Sequence, residues 1–250
     1  MKHFLLMLLV CLAPLSGFCS EGAALFAEAK TVSKSDPLKA RKLFQLSGLK
    51  FEALAESRPE LKADALYNAG NAYFFAEERG RALHAYRRAE QVLPFNRELK
   101  DNIAYLVQLS GGEVAVNKEV SLWQKLRIIF SLRVRMLLLM VFYLLAVTAV
   151  VVWQWRAKLN VAILAAFCGL SLIFSLSVLI TFLGGPRNGV VLSYQTQARK
   201  GDGYIYEPAF GRPLAEASEF SISKIRGDWV LAKLPDGNQG WVPASEVGLW

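Results

Sequence analysis

Few side chains in this chain could do covalent or acid–base chemistry. Two histidines, His3 and His84, and three cysteines, Cys11, Cys19 and Cys168, are scattered over 250 residues. A zinc site gathers Cys, His or carboxylate ligands at short spacings, and a catalytic imidazole needs a nucleophile and an orienting partner. Neither pattern occurs, so no metal, cofactor or catalytic residue is nominated and the chain is not expected to be an enzyme. No Gly-x-Ser-x-Gly elbow, phosphate loop or His-Glu-x-x-His run is present. Gly201-Asp202-Gly203 is a fragment of a dinucleotide fingerprint that lacks the following helix, and it reads as a turn. The acidic pair Glu77-Glu78 falls between two helical runs, where solvation is expected.

The side chains that stand out would bind rather than react. Tyr67, Asn68, Asn71, Phe74 and Phe75, followed by Asp101, Asn102 and Tyr105, recur at helical spacing and could line a groove. Asparagine amides offer a donor and an acceptor to an extended peptide backbone, which centres such a groove on Asn71 and Asn102. Alternatively, Asn68 and Asn102 satisfy neighbouring helix ends. No basic residue accompanies them on the groove face of the last unit, so a clamp for a terminal carboxylate is not supported. A second set, Tyr204, Tyr206, Trp229, Trp241 and Pro243, would make an aromatic groove able to dock an extended or proline-rich peptide. A domain this small also needs large side chains inside, and Trp241 is expected chiefly there.

The elements that must position the first set are helices. The stretch ALYNAGNAYFFAEERGRALHAYRRAEQVLP places Gly70, Tyr73, Ala82, Tyr86, Ala89 and Pro94 at the offsets of a tetratricopeptide repeat beginning near Ala63, which it resembles. Gly70 and Ala82 are small where two helices would cross, Tyr73 and Tyr86 fill the space between, and Pro94 ends the second helix. Ala40 and Phe44 fit the second helix of a degenerate earlier repeat, lengthened around Phe51 to Pro59. Its first helix fits poorly, because Glu28 stands at the small position. ELKDNIAYLVQL supplies the first helix of a third unit. The repeats are assigned to residues 21–117.

The second set belongs to short strands. GVVLS, SISKI, DWVLAKL and QGWVP are rich in β-branched and aromatic residues and are separated by Arg226-Gly227-Asp228 and Pro235-Asp236-Gly237-Asn238. The Asp-Gly pair predicts a hairpin with positive φ at both turn positions. RGDWVLAKLPDGNQGWVPASEV resembles the end of bacterial SH3 domains, and ARKGDGYIYEPAF resembles their long first loop. A small barrel is assigned to residues 186–250.

Hydrophobic residues make up 54% of the chain, mean hydropathy is +0.29 and net charge is +8. The apolar excess falls in three blocks. MKHFLLMLLVCLAPLSGFCS has the layout of a secretory signal over residues 1–20, cut near Cys19 or Ser20. Residues 136–155 and 161–183 are uncharged and long enough for two transmembrane helices, joined by a connector over 156–160 that contains Arg156 and Lys158. Trp153 and Trp155 suit an interfacial position, and Gly169, Ser171, Ser175 and Ser177 suit close helix packing. No ionisable residue lies inside either run, which argues against a pump or transporter. Most of the positive charge flanks the spans: residues 118–135 carry a net +4 and the connector +2, while 21–117 carry +1 and 186–250 carry zero. A nucleic-acid surface, which needs a basic stripe on a folded domain, is therefore excluded. Within 118–135, Trp123, Leu126, Ile129, Phe130 and Val134 form an amphipathic helix that would lie on headgroups or cap the preceding domain. Two spans return the chain to one compartment. Five basic residues before the first span favour the cytosol for it, whereas a cleaved signal favours the outside, and the second expectation is kept.

The order signal, helical repeats, paired spans, small barrel resembles the BatE proteins of the Bat aerotolerance operons. The residues that carry the resemblance are YNAGNAYF, RALHAYRRAEQVLP, DNIAYL and GDWVLAKLPDGNQGWVP, and the likeness runs over nearly the whole chain. It implies a non-enzymatic scaffold in the bacterial inner membrane, with repeats and barrel in the periplasm. It also implies von Willebrand A-type membrane proteins and an AAA+ ATPase system as partners, in stress tolerance. A cell-envelope sensor that reads peptidoglycan through the barrel is the alternative.

Overall fold

The structure is a computed structural model that describes residues 17–110, 132–156, 161–183 and 188–250. Most of the signal run, the amphipathic stretch through residue 131 and the connector at 157–160 lie outside the described residues, as do the side chains of Trp153 and Trp155. The chain is mostly helical with one small five-stranded antiparallel sheet. It divides into two compact units: five helices together with the sheet, and a pair of apolar helices.

In the first unit α1 spans Gly17–Val32, α2 Pro37–Ser57, α3 Lys62–Phe75, α4 Arg79–Val92 and α5 Arg97–Ser110. Local sequence sets their ends. The Asp36 carboxylate accepts from the Lys39 backbone N–H at 2.9 Å with Pro37 in the first turn of α2. Asn96 does the same for Leu99 at the start of α5. Between α3 and α4 the chain reverses through Glu77, whose φ of 61° is unusual for a residue with a side chain. Each helix crossing is closed by a glycine beneath an aromatic ring. A Cβ on Gly22, Gly48 or Gly70 would come within 3.2 Å of Phe51, 2.7 Å of Tyr73 or 2.4 Å of Tyr86, respectively. Ala82, Ala89, Tyr73 and Tyr86 are buried around these crossings, and α4 ends two residues before the partly buried Pro94. In α1 the buried small residue is Ala29, next to the expected Glu28, and it packs with Ala40, Phe44 and Ala76. At 21 residues α2 outlasts its neighbours of 16 and 14, and its extra turns bring Phe51, Leu54 and Ala55 into the main core.

The strands are β1 Asn188–Val191, β2 Glu219–Arg226, β3 Trp229–Lys233, β4 Gln239–Pro243 and β5 Val247–Leu249, ordered β4-β3-β2-β1-β5. The β2–β3 turn is the two-residue Gly227-Asp228 with Gly227 at φ 52°. The β3–β4 turn differs from expectation: Gly237, at φ 91°, alone takes a positive value. Gly237 N–H donates to Leu234 O at 3.0 Å, so the loop is longer than a two-residue turn and Asp236 need not enter the left-handed region. Val191, Phe220, Val230, Val242 and Val247 fill the sheet's own core.

Period-two alternation along β1 gives this strand a second role. Val191 faces the sheet core while its neighbour Val190, with Ala217, joins the helical core of Leu83, Tyr86 and Ile103. Helices and strands, read from the sequence as successive modules, therefore pack as one body. Polar groups fix the seam. Arg87 donates through Nε and Nη2 to the two oxygens of buried Glu219 at 2.5 and 2.9 Å. Gly80 N–H donates to Glu216 Oε1 at 2.9 Å. The His84 ring bonds Leu249 O at 3.1 Å.

In the second unit α6 spans Leu132–Arg156 and α7 Val161–Leu183. Phe142 stacks on Phe174 at 5.7 Å, and Arg135 Nη1 donates to the carbonyl and hydroxyl oxygens of Ser177 at 3.1 and 3.0 Å, so the two helices run antiparallel. Val134–Val151 is long and apolar enough to cross a membrane, and Ala165–Leu179 is a shorter apolar stretch. The helix begins before the uncharged run expected at Met136 and carries Arg135 with it. Arg135 is thus buried against α7, one residue before the run itself, which holds no ionisable residue.

Candidate binding faces

Five aromatic rings form a connected row across the helices. Phe26 of α1 meets Phe44 of α2 at 5.1 Å and Phe75 of α3 at 5.6 Å. Phe44 stacks on Phe75, Phe75 meets Phe74, and Phe74 meets Tyr105 of α5 at 6.0 Å. Apart from the stacked Phe44–Phe75 pair the rings meet edge-on, each contact adding about 0.5–1.5 kcal/mol beyond burial. Phe75 and Tyr105 keep 49% and 58% of their surface exposed, so the row is built into the core at one edge and open at the other.

Of the eight residues expected to line the groove, Tyr67 and Asn102 are joined by a hydrogen bond, Asn71 meets Tyr67 through Tyr86, and Phe74, Phe75 and Tyr105 pack together. Tyr67 donates to Glu98 Oε1 at 2.8 Å and accepts from Asn102 Nδ2 at 3.2 Å, so Asn102 joins α3 to α5 rather than satisfying a helix end. Asn71 Oδ1 accepts from the Tyr86 hydroxyl at 2.7 Å. Its amide oxygen is spent on a core tyrosine, and the open aromatic surface lies instead along the ring row. Asn68 is half-buried on α3 and enters no hydrogen bond among the described residues. Phe26 was missed, and Phe44 was read only as a packing position of the degenerate repeat, not as part of a binding face. Burial pushes the Tyr67 phenol up, helped by the Glu98 carboxylate, and burial pushes Tyr73 and Tyr86 up further. All three stay protonated and act as donors.

The sheet carries the second face. Tyr204 packs edge-on to Trp229 at 4.9 Å, and the Arg226 guanidinium lies 5.4 Å from the Trp241 ring centre. Trp229 pairs with Pro243 and Leu231 with Trp241, which puts the two tryptophans diagonally adjacent. Trp241 is only 8% exposed, yet it stands outside the apolar cluster that fills the sheet's own core. Its neighbour Val242 faces that core, and alternation turns Trp241 to the other side, beneath Arg226. Arg199 Nη1 donates to the carbonyls of Tyr204 and Tyr206 at 2.9 and 2.8 Å and so shapes the loop that presents both tyrosines. The Tyr206 ring covers Gly201, where a Cβ would come within 2.6 Å of it. Arg226 also bonds Asp202 at 2.8 Å, which holds that carboxyl below the usual range. Arg199, Arg226 and Asp202 were not singled out from the sequence. The hint was an arginine flanking each aromatic pair.

Glu78, read as solvated, is half-buried. It accepts from Gln45 Nε2 at 2.8 Å and lies 3.4 Å from Arg81, and burial raises its pKa. With Arg81, Leu192, Ser193 and Ser245 it lines a polar cleft of about 200 Å³ at the seam. Glu77 remains exposed. Among the described residues no three His, Cys, Asp or Glu side chains gather in a way that could hold a metal. No protein-family model matches the chain, and no curated protein or solved structure matches it either.

Proposed function

We propose that the chain is a non-enzymatic membrane scaffold that holds protein partners on the aromatic row of its helical domain. The observation that carries this reading is the row itself: five rings spanning four helices, with Phe75 and Tyr105 half open to solvent. Exposed aromatics backed by a rigid core are what protein interfaces use as anchors. On this reading α1–α5 are tetratricopeptide-type repeats and the sheet is an SH3-like barrel. The pair α6–α7 is a transmembrane hairpin of the bacterial inner membrane, with the other domains in the periplasm. The exposure of α6 supports the hairpin. Only 17% of the Val134–Val151 window is buried, and an apolar helix serving as a soluble core would be covered. The resemblance to BatE proteins names the partners as von Willebrand A-type membrane proteins and an AAA+ ATPase system.

The Tyr204–Trp229 face favours a second reading, a sensor that binds peptidoglycan. Two binding assays on the detergent-solubilised full chain separate them. The scaffold reading expects retention of a purified von Willebrand A-type membrane protein, lost in Phe75→Ala/Tyr105→Ala. Sedimentation with peptidoglycan sacculi, lost in Tyr204→Ala/Tyr206→Ala and unaffected by the first pair, would overturn it in favour of the sensor.

A further inference from the structure

We propose that the polar cleft at the seam binds a small zwitterion, a free α-amino acid with a short side chain. The cleft, about 200 Å³, lies between the start of α4 and the segments that follow β1 and β4, and it is lined by Glu78, Arg81, Leu192, Ser193 and Ser245. It falls wholly within the first unit, so the site is independent of the membrane reading and of the aromatic row. Two observations point to a ligand. Among the described residues, the three non-glycine positions with positive φ all border the cleft. Glu77, at 61°, precedes Glu78; Gln195, at 67°, follows Ser193 by two residues; Ala217, at 64°, donates its N–H to Val191 O beside Leu192. Such backbone is costly for a residue with a side chain and gathers where binding groups are held in place. The second observation is unused hydrogen-bonding capacity on the wall. Arg81 lies 3.4 Å from Glu78 Oε2 and 5.7 Å from the Tyr73 ring centre, yet its side chain makes no hydrogen bond among the described residues. The hydroxyls of Ser193 and Ser245 make none, and Glu78 Oε2 accepts none.

Charge selects the ligand. Arg41 is spent on Ala76 O and Glu77, and Glu216 Oε1 on the Gly80 N–H. One carboxylate, one guanidinium and two hydroxyls are left to the cleft. A lone anion would meet Glu78, a lone cation would meet Arg81, and an apolar molecule would cover four polar groups without bonding them. An α-amino acid carries both charges on adjacent carbons and lies head to tail across the pair. Its ammonium donates to the Glu78 carboxylate and a serine oxygen, and its carboxylate accepts from the Arg81 fork. The volume is below the roughly 300 Å³ at which sites for drug-sized ligands begin, which excludes a large side chain.

The test is titration calorimetry on the detergent-solubilised full chain, with glycine and alanine as zwitterions, acetate as the anion alone and ethylamine as the cation alone. Ligands this small bind weakly, so each is taken to about 10 mM. Glycine and alanine are expected to bind, and acetate and ethylamine to bind about tenfold more weakly or less, one charge-assisted contact being lost in each. Arg81→Met, which keeps a stem over Tyr73, and Glu78→Gln, which keeps an acceptor for Gln45, should each weaken glycine by about tenfold or more. Ser193→Ala should weaken it about threefold, the worth of one neutral hydrogen bond. That variant leaves the seam contacts in place and carries the test if either charge variant fails to fold, which the unfolding transition of each reports. No heat with either amino acid, acetate bound as tightly as glycine, or glycine binding unchanged in every folded variant overturns the proposal.

Discussion

Replacing Gly80 by alanine tests the union of helices and sheet, because the two levels of structure predict opposite signs. Gly80 lies in the first turn of α4, where alanine in place of glycine favours a free helix by up to about 1 kcal/mol. In the folded unit a Cβ there would stand 2.4 Å from the Val191 carbonyl oxygen and 2.7 Å from Leu192 Cα. Both are backbone atoms and cannot swing aside as a side-chain tip would. The seam must open by roughly an ångström, at an overpacking cost of about 1–3 kcal/mol. Opening also stretches the Gly80 N–H bond to Glu216 and the Arg87–Glu219 pair. Uncoupling a buried ion pair adds about 3–5 kcal/mol if it breaks. Once the helix gain is subtracted, the expected net effect of Gly80→Ala is a loss of about 1–2 kcal/mol with the ion pair intact and about 4–7 kcal/mol if it breaks. Denaturant unfolding of the full chain in detergent measures the loss, and hydrogen exchange locates it at the amides of Val190 and Val191. A variant as stable as the parent, with unchanged protection in β1, would show that α4 and β1 do not pack together.

Four further outcomes follow from other contacts. Gly70→Ala puts a Cβ within 2.4 Å of the Tyr86 ring, and thermal unfolding should register a net loss of about 1–2 kcal/mol; an unchanged melt would refute the tight α3–α4 crossing. Glu77→Gly relieves a residue held at φ 61° and gives up only an exposed ion pair with Arg41, so a gain of about 0.5–1 kcal/mol is expected in the same assay. Glu219→Ala should cost about 3 kcal/mol by leaving Arg87 with Glu90 alone, whereas Arg87→Met with Glu219→Leu should recover most of it, as apolar replacement of a buried pair does. His84 gives the seam a pH dependence. Burial lowers its pKa below 6.5, partly opposed by the bond to Leu249 O. The unfolded chain therefore takes up this proton first. The His84 contribution is complete above about pH 6.5 and falls away as pH drops toward the lower folded value. Glu78, raised by burial, has the opposite sign and gains as it is protonated. The difference between parent and His84→Gln isolates the histidine, and a difference that does not change between pH 7.5 and 5.5 would contradict its placement.

The helical register was legible because packing constrains residue size. Only small residues fit beneath Tyr73 and Tyr86, so Gly70, Ala82 and Ala89 stand out in any reading of the chain. Gly48 and Gly22 do the same job under Tyr73 and Phe51, but the lengthened α2 shifts them off the repeat spacing and hides them. Strand positions were legible from β-branched runs. The facing of Trp241 was not, since a large aromatic suits either side of a small sheet and only its parity with Val242 decides. The seam was the least visible feature. Gly80, His84, Arg87, Val190, Ala217 and Glu219 come from distant segments, and no periodicity links them. The aromatic row shows both cases: Phe74 and Tyr105 announced themselves within a motif and Phe44 as a packing position of the earlier repeat, while Phe26 acquires meaning only when four helices are stacked.

The most direct measurement is the affinity of the full chain for a von Willebrand A-type membrane protein, both in nanodiscs, with and without Phe75→Ala/Tyr105→Ala. If the aromatic row is the docking surface, the double variant should bind about 30-fold or more weakly, as loss of an interface hot spot does. The two rings make four of the row's five contacts, so the variant's unfolding transition should fall as well, and affinity is compared where both parent and variant are fully folded. Equal affinity for parent and variant would contradict the central claim.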